Sequence, residues 1–441
     1  MKKNFKFMVV TLLILSVVFI TGCNSNEDDA GNAGGRGNGD VTYDAGNYSN
    51  TLTVWAWNVN VPVLERAGEL FRVDNPNFEL DILEISNADV YTRTTTALQA
   101  GGQGLPDIVL MEDSRIPGYV QNHPTAFVNL SERGFDAYSS EFPDFKLEVA
   151  RVNGGVHAFP FDVGPVGVFY RRDLFEEANI DVSSIITWED YIEAGRVLQD
   201  TLGINIMPIQ DHTNDLNFRI MMNQQGTDYF NNGEIQFTSE ESIRTMETIR
   251  SIVDAGITSS VSDFASQTAA IANGEVATMI SGAWFAGTLM SQVEDQSGDW
   301  GVFPLPVFAD VVNAVPSSNA GGSSFLIPTV SENIDLAYEF MTFFVTSPAV
   351  QEIVLENGLF PSLLSAYVYN QLSEETISFF GGQDILEFFG EKLSIVPVRE
   401  FNQNAAQAQT QVINAQSLIL SGSDIISTLE DAQSELENML Q

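Results

Sequence analysis

Three histidines and one cysteine are the side chains of this sequence with the most versatile chemistry, since both residue types bind metals and take part in nucleophilic catalysis. His123, His157 and His212 lie far apart without HExxH spacing, and Cys23 stands alone near the start of the chain. The stretch Gly321-Gly322-Ser323-Ser324 lacks the closing glycine of a GxSxG nucleophile motif. A phosphate-binding GxxxxGKS or GxxxxGKT pattern is also absent. The sequence therefore predicts no metal site, no cofactor and no enzymatic activity.

Acidic side chains dominate the charge of the chain, with 59 Asp and Glu against 19 Lys and Arg and a net charge of -40 at pH 7. Such a surface repels nucleic-acid phosphates, which excludes DNA and RNA as partners. It suits a protein kept soluble outside the cell by self-repulsion. With so many acids some carboxylate pairs come close by chance, so a pair alone does not indicate a glycosidase.

The sequence around Cys23 indicates a specific role for the single thiol. Three lysines within the first six residues precede an apolar stretch over 7–20, which is too short to span a bilayer and is typical of an export signal. Ile20-Thr21-Gly22-Cys23 then resembles a bacterial lipobox, in which the cysteine thiol receives a diacylglycerol and becomes residue one after cleavage. The resemblance implies a signal peptide over 1–22 and a lipid anchor at Cys23. An ordinary signal peptide with a chance cysteine is the alternative.

After the cysteine, the segment up to residue 50 is rich in Asn, Gly and Asp and has almost nothing to bury, so residues 23–50 are expected to be the lipidated cysteine and a flexible tether. The length of 441 residues allows two or three domains. The folded part is expected to begin at residue 51.

Strand and helix patterns alternate in the elements that must position any site. Strands are predicted over 51–57, 78–85 and 107–111, with helices over 63–73 and 90–100 between them. This order predicts a parallel sheet and an α/β fold. Further helices are predicted over 191–199, opened by a capping box at Thr187 to Asp190, and over 239–255 and 331–345.

Three ordered blocks of sequence carry a resemblance to a known family. They are GLPDIVL at 104–110, NGGVHAFPFDVGP at 153–165 and NGEVATMISGAW at 273–284. Together with the lipobox they resemble the extracellular solute-binding proteins of carbohydrate ABC importers, which include the maltodextrin-binding proteins. The resemblance spans nearly all of residues 51–441. It implies a two-lobed, periplasmic-binding-protein-like fold of type II, with the ligand in the cleft and closure by a hinge.

The resemblance also implies how the chain divides between the lobes. The N-lobe is expected to hold 51–162 and 322–372, and the C-lobe 163–321 and 373–441. Crossings are placed near 162–165, 316–322 and 371–378. Gly and Pro or Ser dominate the first two stretches, which suits segments whose dihedral angles must change during closure.

A pyranose ring has an apolar CH face and a rim of hydroxyls, so its site needs an aromatic ring and planar hydrogen-bonding groups. In the family the aromatic residue of the third block lines the cleft, which makes Trp284 the first candidate, with a core position as the alternative. Trp57 and Asn58 follow the first strand, where open parallel sheets place ligands. Alternation leaves open whether Trp55 or Trp57 faces the cleft.

Charged residues and glycines complete the candidate set. Glu112 or Asp113 is expected to accept hydrogen bonds from ligand hydroxyls, with a solvated loop acid as the alternative. Arg115 matches a position that orients a site carboxylate, with a surface salt bridge as the alternative. Asp162, at the first crossing, is expected to contact the ligand or to cap a turn. Gly321-Gly322 is expected to let backbone amides approach the ligand, or to act only as a hinge.

The resemblance implies a lipid-anchored, monomeric subunit that delivers a mono- or oligosaccharide to the permease of an ABC importer, on the extracellular or periplasmic face of the cell membrane. Residues 401–406 (FNQNAA) depart from the aromatic residues that members for linear glucans often supply there, which weakens a maltodextrin assignment. Arg399 and Asn404 are polar candidates instead. The alternatives are the same fold binding a peptide or polyamine, and an extracellular glycosidase.

Overall fold

A computed structural model describes residues 51–312, 314–369 and 372–441. The expected signal peptide over 1–22, the anchor at Cys23 and the tether up to residue 50 lie outside the described residues, as does Gln371 at the start of the expected third crossing. Within the described ranges, no helix has the length and apolar character needed to cross a bilayer.

The strands, in chain order, are β1 (Thr51–Ala56), β2 (Glu79–Glu84), β3 (Ile108–Glu112), β4 (Arg151–Val152), β5 (Gly155–Val156), β6 (Phe159–Pro160), β7 (Val166–Arg171), β8 (Met207–Ile209), β9 (Phe230–Asn231), β10 (Glu234–Ile235), β11 (Thr258–Ser260), β12 (Thr278–Gly282), β13 (Trp300–Phe303) and β14 (Ser323–Leu326).

The helices are α1 (Asn60–Phe71), α2 (Asn87–Gln99), α3 (Ile116–Asn122), α4 (Asp144–Ala150), α5 (Arg172–Glu177), α6 (Trp188–Leu202), α7 (Leu216–Gln224), α8 (Glu240–Asp254), α9 (Phe264–Ala272), α10 (Phe285–Gln292), α11 (Ile334–Thr346), α12 (Pro348–Glu356), α13 (Ala366–Tyr369), α14 (Glu374–Phe379), α15 (Ile385–Leu393), α16 (Ala405–Leu420) and α17 (Ile425–Met439).

The first lobe is built on a five-stranded sheet in the order β2-β1-β3-β14-β6. Strand β1 pairs in parallel with β2 and β3, which confirms the prediction from the alternating strands and helices. Strand β14 returns from much later in the chain and is antiparallel to both β3 and β6. Val54, Leu110 and Phe344 are fully buried in the core beside this sheet. We call this unit the N-lobe.

The second lobe is built around β7, which lies between β12 and β13 and is antiparallel to both. Strand β8 lies beyond β12, since the Thr278 amide donates to the Ile206 carbonyl at 2.7 Å, and β11 pairs in parallel with β8. Tyr191, Met246 and Val412 bring α6, α8 and α16 into one core with these strands. We call this unit the C-lobe.

Two segments connect the lobes side by side. Strands β6 and β7 belong to different sheets, as do β13 and β14, and Phe308 is still part of the C-lobe core, so the chain passes between the lobes at 161–165 and at 316–322. The Ala320 amide donates to the Gly164 carbonyl at 2.8 Å, and the Asn319 side chain accepts from the Gly164 amide at 3.0 Å. We call these paired segments the crossing ribbon.

Helix ends shift from their predicted places for local reasons. Helix α1 begins at Asn60, before the predicted residue 63, because the Asn60 side chain donates to the Trp57 carbonyl at 2.8 Å and closes an earlier turn. The capping box of α6 is confirmed, with Thr187 and Asp190 bonded reciprocally. Helix α11 begins at 334, after the predicted residue 331, because the Ser331 hydroxyl donates to Asp107 at 2.5 Å instead of entering the helix.

Candidate ligand-binding site

A cavity of about 560 Å³ is lined by residues of both lobes and of the crossing ribbon, and we call it the cleft. Its volume is that of an ordinary small-molecule site. The N-lobe contributes Trp57, Asn58, Asn87, Glu112, Ser114 and Arg115, and the ribbon contributes Asp162, Ala320, Gly321 and Gly322. The C-lobe contributes aromatic and polar side chains, among them Gln210, Arg219, Asp228, Phe264, Gln267, Trp284, Arg399, Phe401 and Gln409.

The N-lobe wall begins where the parallel strands β1 and β3 end. Of the two tryptophans that alternation left open, Trp57 lines the cleft, while Trp55 lies within β1 and packs on the N-lobe core. Trp57 is only 8% exposed and meets the Tyr91 ring edge-on, with the centroids 6.5 Å apart. Asn58 follows in a left-handed conformation with φ of 50°. Only a small part of the Trp57 side chain is therefore exposed to the cleft.

Glu112 and Asp113 have separate environments although they are neighbours. Glu112 ends β3 and lines the cleft, where the Asn87 amide donates to its Oε1 at 3.1 Å. Asp113 is 3% exposed and is not among the lining residues. Its Oδ2 pairs with the Lys146 ammonium at 2.6 Å and its Oδ1 accepts from the Ser324 hydroxyl at 2.8 Å. The structure therefore brings Glu112 to the cleft and places Asp113 behind it, where protein groups already satisfy both oxygens.

Lys146 is the charged residue that sequence reasoning missed behind the cleft. Its side chain is fully buried, and its ammonium also donates to the Ser323 carbonyl at 2.7 Å. In the sequence it stands in α4 as one lysine among acids, and nothing there distinguishes it from a solvated surface lysine. Only the fold shows that it ties the end of β3 to the start of β14.

Asp162 lines the cleft at the crossing ribbon and also holds the ribbon together. Its Oδ1 accepts from the Ser323 amide at 2.6 Å, and the residue is 5% exposed. Burial raises the pKa of Asp162 to about 7; nearby Lys146 opposes that rise and nearby Asp113 adds to it. Asp162 is therefore a group of the site that changes charge near neutral pH.

The two glycines of the ribbon have backbone conformations that other residues rarely adopt. Gly321 has φ of +101° and Gly322 has φ of +95°. A Cβ atom at Gly321 would lie 3.0 Å from the indole nitrogen of Trp284, and one at Gly322 would lie 2.7 Å from Asp113 Oδ2. These glycines let an aromatic ring and a carboxylate approach the ribbon on two sides.

Trp284 forms the aromatic wall of the cleft together with Phe264. Its indole N–H donates to the Ala320 carbonyl at 2.9 Å, which fixes the ring against the crossing ribbon. The Phe264 ring lies 6.1 Å away, centroid to centroid, and is 46% exposed. Trp284 itself is partly exposed and packs against the cores of both lobes. The wall is therefore an apolar surface at the junction of the lobes.

Arginines supply the polar side of the cleft, and two of them are paired with buried aspartates. Arg219 Nε contacts Asp215 at 3.2 Å, and an Arg399 Nη atom contacts Asp228 at 2.7 Å. The Arg399 guanidinium also lies 4.9 Å from the centroid of the Phe401 ring. Arg399, a minor candidate in the sequence, lines the cleft. Arg219 and Asp228 also line it, but no sequence motif pointed to them, because they come from separate loops and helices.

This arrangement provides oriented groups that can recognise a ligand. Side chains with fixed orientations surround an aromatic wall, and each paired arginine retains donors beyond its ion pair. Among the described residues, no group of three or more His, Cys, Asp or Glu side chains is arranged to hold a metal ion. The buried His157 lies outside the cleft, where its Nδ1 is 3.4 Å from the Phe127 carbonyl and burial lowers its pKa.

Comparison with known proteins gives a consistent result. Residues 68–377 match the family described as bacterial extracellular solute-binding protein. The lactose-binding protein of Rhizobium radiobacter is 28% identical over 403 residues, which cover 89% of this chain and 94% of that protein.

Solved structures with the same fold include the ABC-transporter-associated binding protein of B. animalis subsp. lactis Bl-04 in complex with β-1,6-galactobiose. It is 21% identical with a TM-score of 0.72, and the match covers 89% of this chain and 97% of that one. A receptor of Streptomyces glaucescens, solved without ligand and with acarbose, is 18% identical with a TM-score of 0.75, covering 88% and 98%. The predicted two-lobed α/β fold is confirmed.

Proposed function

This chain belongs to the bacterial extracellular solute-binding proteins, and we propose that it is the sugar-binding subunit of an ABC importer. The similar proteins are named for lactose and arabinooligosaccharide, and a similar structure holds β-1,6-galactobiose. These are neutral saccharides of two or more rings. A mono- or oligosaccharide of this kind is the ligand class that we assign to the cleft.

The observation that carries the proposal is the aromatic wall beside fixed polar groups. Trp284 is held by its indole N–H, so the part of the ring that lines the cleft keeps its orientation before a ligand arrives. A flat apolar ring suits the CH face of a sugar, and Glu112, Gln267 and Arg399 suit its hydroxyl rim. The site residues Trp57, Asn58, Arg115, Asp162 and Gly321-Gly322 belong to the same proposal.

Hinge closure is the mechanism that fits this site. Glu112 comes from the N-lobe, and Trp284 comes from the C-lobe. A ligand that touches both gains its full contacts only when the lobes are close, so its binding shifts the population toward the closed form. In the proposed importer, the closed form then presents the sugar to the permease subunits. We propose binding without turnover, in keeping with a family and relatives that are binding proteins.

The lipid anchor and the location are part of the proposal. The lipobox-like segment ending in Cys23 supports attachment to the outer face of the cell membrane, and the family description supports an extracellular or periplasmic location. Cys23→Ser is expected to move the protein from the membrane fraction to the soluble fraction after export. Continued membrane attachment of this variant after removal of residues 1–22 would contradict the anchor while leaving the sugar site untouched.

Thermal unfolding with a ligand panel tests the sugar assignment. The panel contains lactose, arabinooligosaccharides, β-1,6-galactobiose and maltose, together with peptides and polyamines. A ligand at about 100 times its dissociation constant stabilises the fold by roughly 2.7 kcal/mol. Stabilisation by one sugar class is expected. Stabilisation only by a peptide or polyamine would overturn the sugar assignment, and consumption of the bound sugar, followed by NMR, would favour the glycosidase alternative.

A further inference from the structure

A side-chain hydrogen bond joins the two lobes at the cleft, away from the crossing ribbon. Arg115 Nη2, in the short 3₁₀ turn that follows β3 of the N-lobe, donates to Gln409 Oε1 on α16 of the C-lobe at 3.4 Å. Both residues line the cleft. The backbones also approach here, because a Cβ atom at Gly118 would lie 3.3 Å from the Gln403 carbonyl oxygen. The lobes are therefore in contact at this part of the rim.

Gln409 is fixed from the C-lobe side. Its amide nitrogen donates to Asp215 Oδ1 at 3.0 Å. Asp215 is fully buried, and its carboxylate also accepts from Arg219 Nε at 3.2 Å and from the Tyr229 hydroxyl. Because the amide of Gln409 is planar and its nitrogen is held by Asp215, its oxygen is directed away from Asp215 and toward the N-lobe.

Arg115 is held much more loosely than the other arginines of the cleft. Arg219 and Arg399 are each paired with an aspartate, whereas the Arg115 guanidinium contacts the Gln409 carbonyl and lies 5.5 Å from the centroid of the Tyr91 ring. Its Nε atom is buried and has no hydrogen-bond partner among the described residues. An unpaired buried donor is costly, so an acceptor on a ligand would be favourable there.

We propose that Gln409 is a positioning residue that couples lobe closure to ligand recognition. Anchored on Asp215, it receives the Arg115 guanidinium as the lobes approach and orients it, so that Nε is left for a hydroxyl or ring oxygen of the ligand. The ligand part of this inference rests on the proposed function, whereas the contact between the lobes does not. At 3.4 Å the hydrogen bond is longer than the usual range of about 2.7–3.2 Å and therefore weak, which suits a contact that must break on opening.

The inference explains why glutamine suits this position. Glutamate would keep an acceptor for Arg115 but would place a second carboxylate against Asp215, and methionine would keep the length of the side chain while losing both hydrogen bonds. Gln407, two residues earlier on the same helix and exposed, offers a matched control for either substitution.

The first test measures the distance between the lobes without any ligand. Spin labels are placed at exposed Gln99 on α2 and exposed Glu247 on α8, in a Cys23→Ser background that leaves no other cysteine in the chain. Loss of one net hydrogen bond corresponds to a change of about threefold to tenfold in an equilibrium. Gln409→Met is expected to lower the ratio of closed to open molecules by that factor, with Gln407→Met unchanged. An unchanged distance distribution in Gln409→Met would overturn the inference.

The second test asks whether Gln409 acts through Arg115. If it does, Gln409→Met has no further effect on the distance distribution in an Arg115→Met background, whereas independent effects would add. The same cycle on the dissociation constant of the sugar found by the panel is expected to show the same non-additivity. A purely structural role would lower the thermal midpoint without moving the distances. Failure of every sugar to bind would contradict the proposed function, and the ligand-free distances would still decide the role of Gln409.

Discussion

At the residue scale, the charges buried behind the cleft determine how the crossing ribbon responds to pH. The Lys146 ammonium pairs with Asp113 at 2.6 Å, and Asp162 is a second carboxylate within its electrostatic reach. One buried cation cannot fully compensate two buried anions, and burial raises the pKa of Asp162 to about 7. The pKa of Asp113 is also raised by its burial, with Lys146 opposing the rise.

We predict that Asp162 makes the protein less stable as the pH rises toward neutrality. Its pKa is about 7 in the folded chain, whereas an unperturbed aspartate, as in the unfolded chain, has a pKa of 3.8. The folded state therefore binds more protons than the unfolded state between about pH 4 and pH 7. The stability that a protonated Asp162 contributes is complete below about pH 4 and is lost as the pH rises through 7.

The measurement is thermal unfolding of Asp162→Asn over this pH range. The amide can still accept from the Ser323 amide but does not titrate, so the advantage of the wild type over the variant should shrink from about pH 4 to pH 7. Asp81→Asn, on exposed β2, is the control and should leave the pH profile unchanged. Parallel profiles for wild type and Asp162→Asn would contradict the assigned pKa.

The sequence predicted some of these residues and not others, for physical reasons. Trp57 and Glu112 follow predicted strands, so sheet topology alone places them at the cleft. Asp113 looked equivalent to Glu112, because sequence spacing does not reveal a buried lysine that attracts one carboxylate inward. Gln409 and Arg219 reach the cleft from helices whose packing angles a single sequence does not specify.

At the element scale, the crossing ribbon depends on Gly322. Its φ of +95° disfavours any side chain, and a Cβ atom there would lie 2.7 Å from Asp113 Oδ2. Gly322→Ala is expected to destabilise the fold by more than about 1 kcal/mol, since it combines an unfavourable dihedral with displacement of a buried ion pair.

A second glycine separates these two causes. Gly382 has φ of +87°, but nothing lies within 4 Å of a Cβ atom placed there. In chemical denaturation, Gly382→Ala reports the dihedral cost alone, so Gly322→Ala should lower the unfolding free energy further. Equal losses of unfolding free energy in the two variants would show that the close approach to Asp113 does not contribute to the cost of the substitution.

Elements with strong periodic patterns were predicted well, and those set by long-range contacts were not. Strands β1 to β3 and helix α8 lie within one residue of their expected bounds, because burial on one face leaves a regular pattern, whereas α6 extends three residues beyond the predicted 191–199 at each end. Strand β14 pairs with β3 from more than two hundred residues away, and its antiparallel direction has no local signature. The sheet order of the N-lobe therefore required the structure.

At the scale of the whole molecule, the net charge of -40 opposes compactness through self-repulsion. The screening (Debye) length falls from about 30 Å at 0.01 M salt to about 3 Å at 1 M, so salt weakens the repulsion between charges. Added NaCl should therefore raise the thermal midpoint across this range. A neutral solute at equal osmolality controls for non-ionic effects. A midpoint that falls with salt would mean that the ion pairs of the fold outweigh the repulsion.

The two lobes, the crossing ribbon and the cleft act together in the proposed function, and Trp284 lies where all of them meet. Loss of this ring removes a stacking surface between lobes, so Trp284→Ala is expected to weaken sugar binding by at least about tenfold, which is roughly 1.4 kcal/mol. Trp55→Ala, a tryptophan on β1 that does not line the cleft, controls for general effects of losing an indole.

Calorimetric titration of wild type, Trp284→Ala and Trp55→Ala with the sugar that stabilises the protein measures directly whether Trp284 holds the sugar. We expect one saturable site in the wild type, a similar dissociation constant in Trp55→Ala and a much weaker affinity in Trp284→Ala. Equal affinities in all three proteins, or saturable binding of a non-sugar solute only, would contradict a sugar held against the aromatic wall of the cleft.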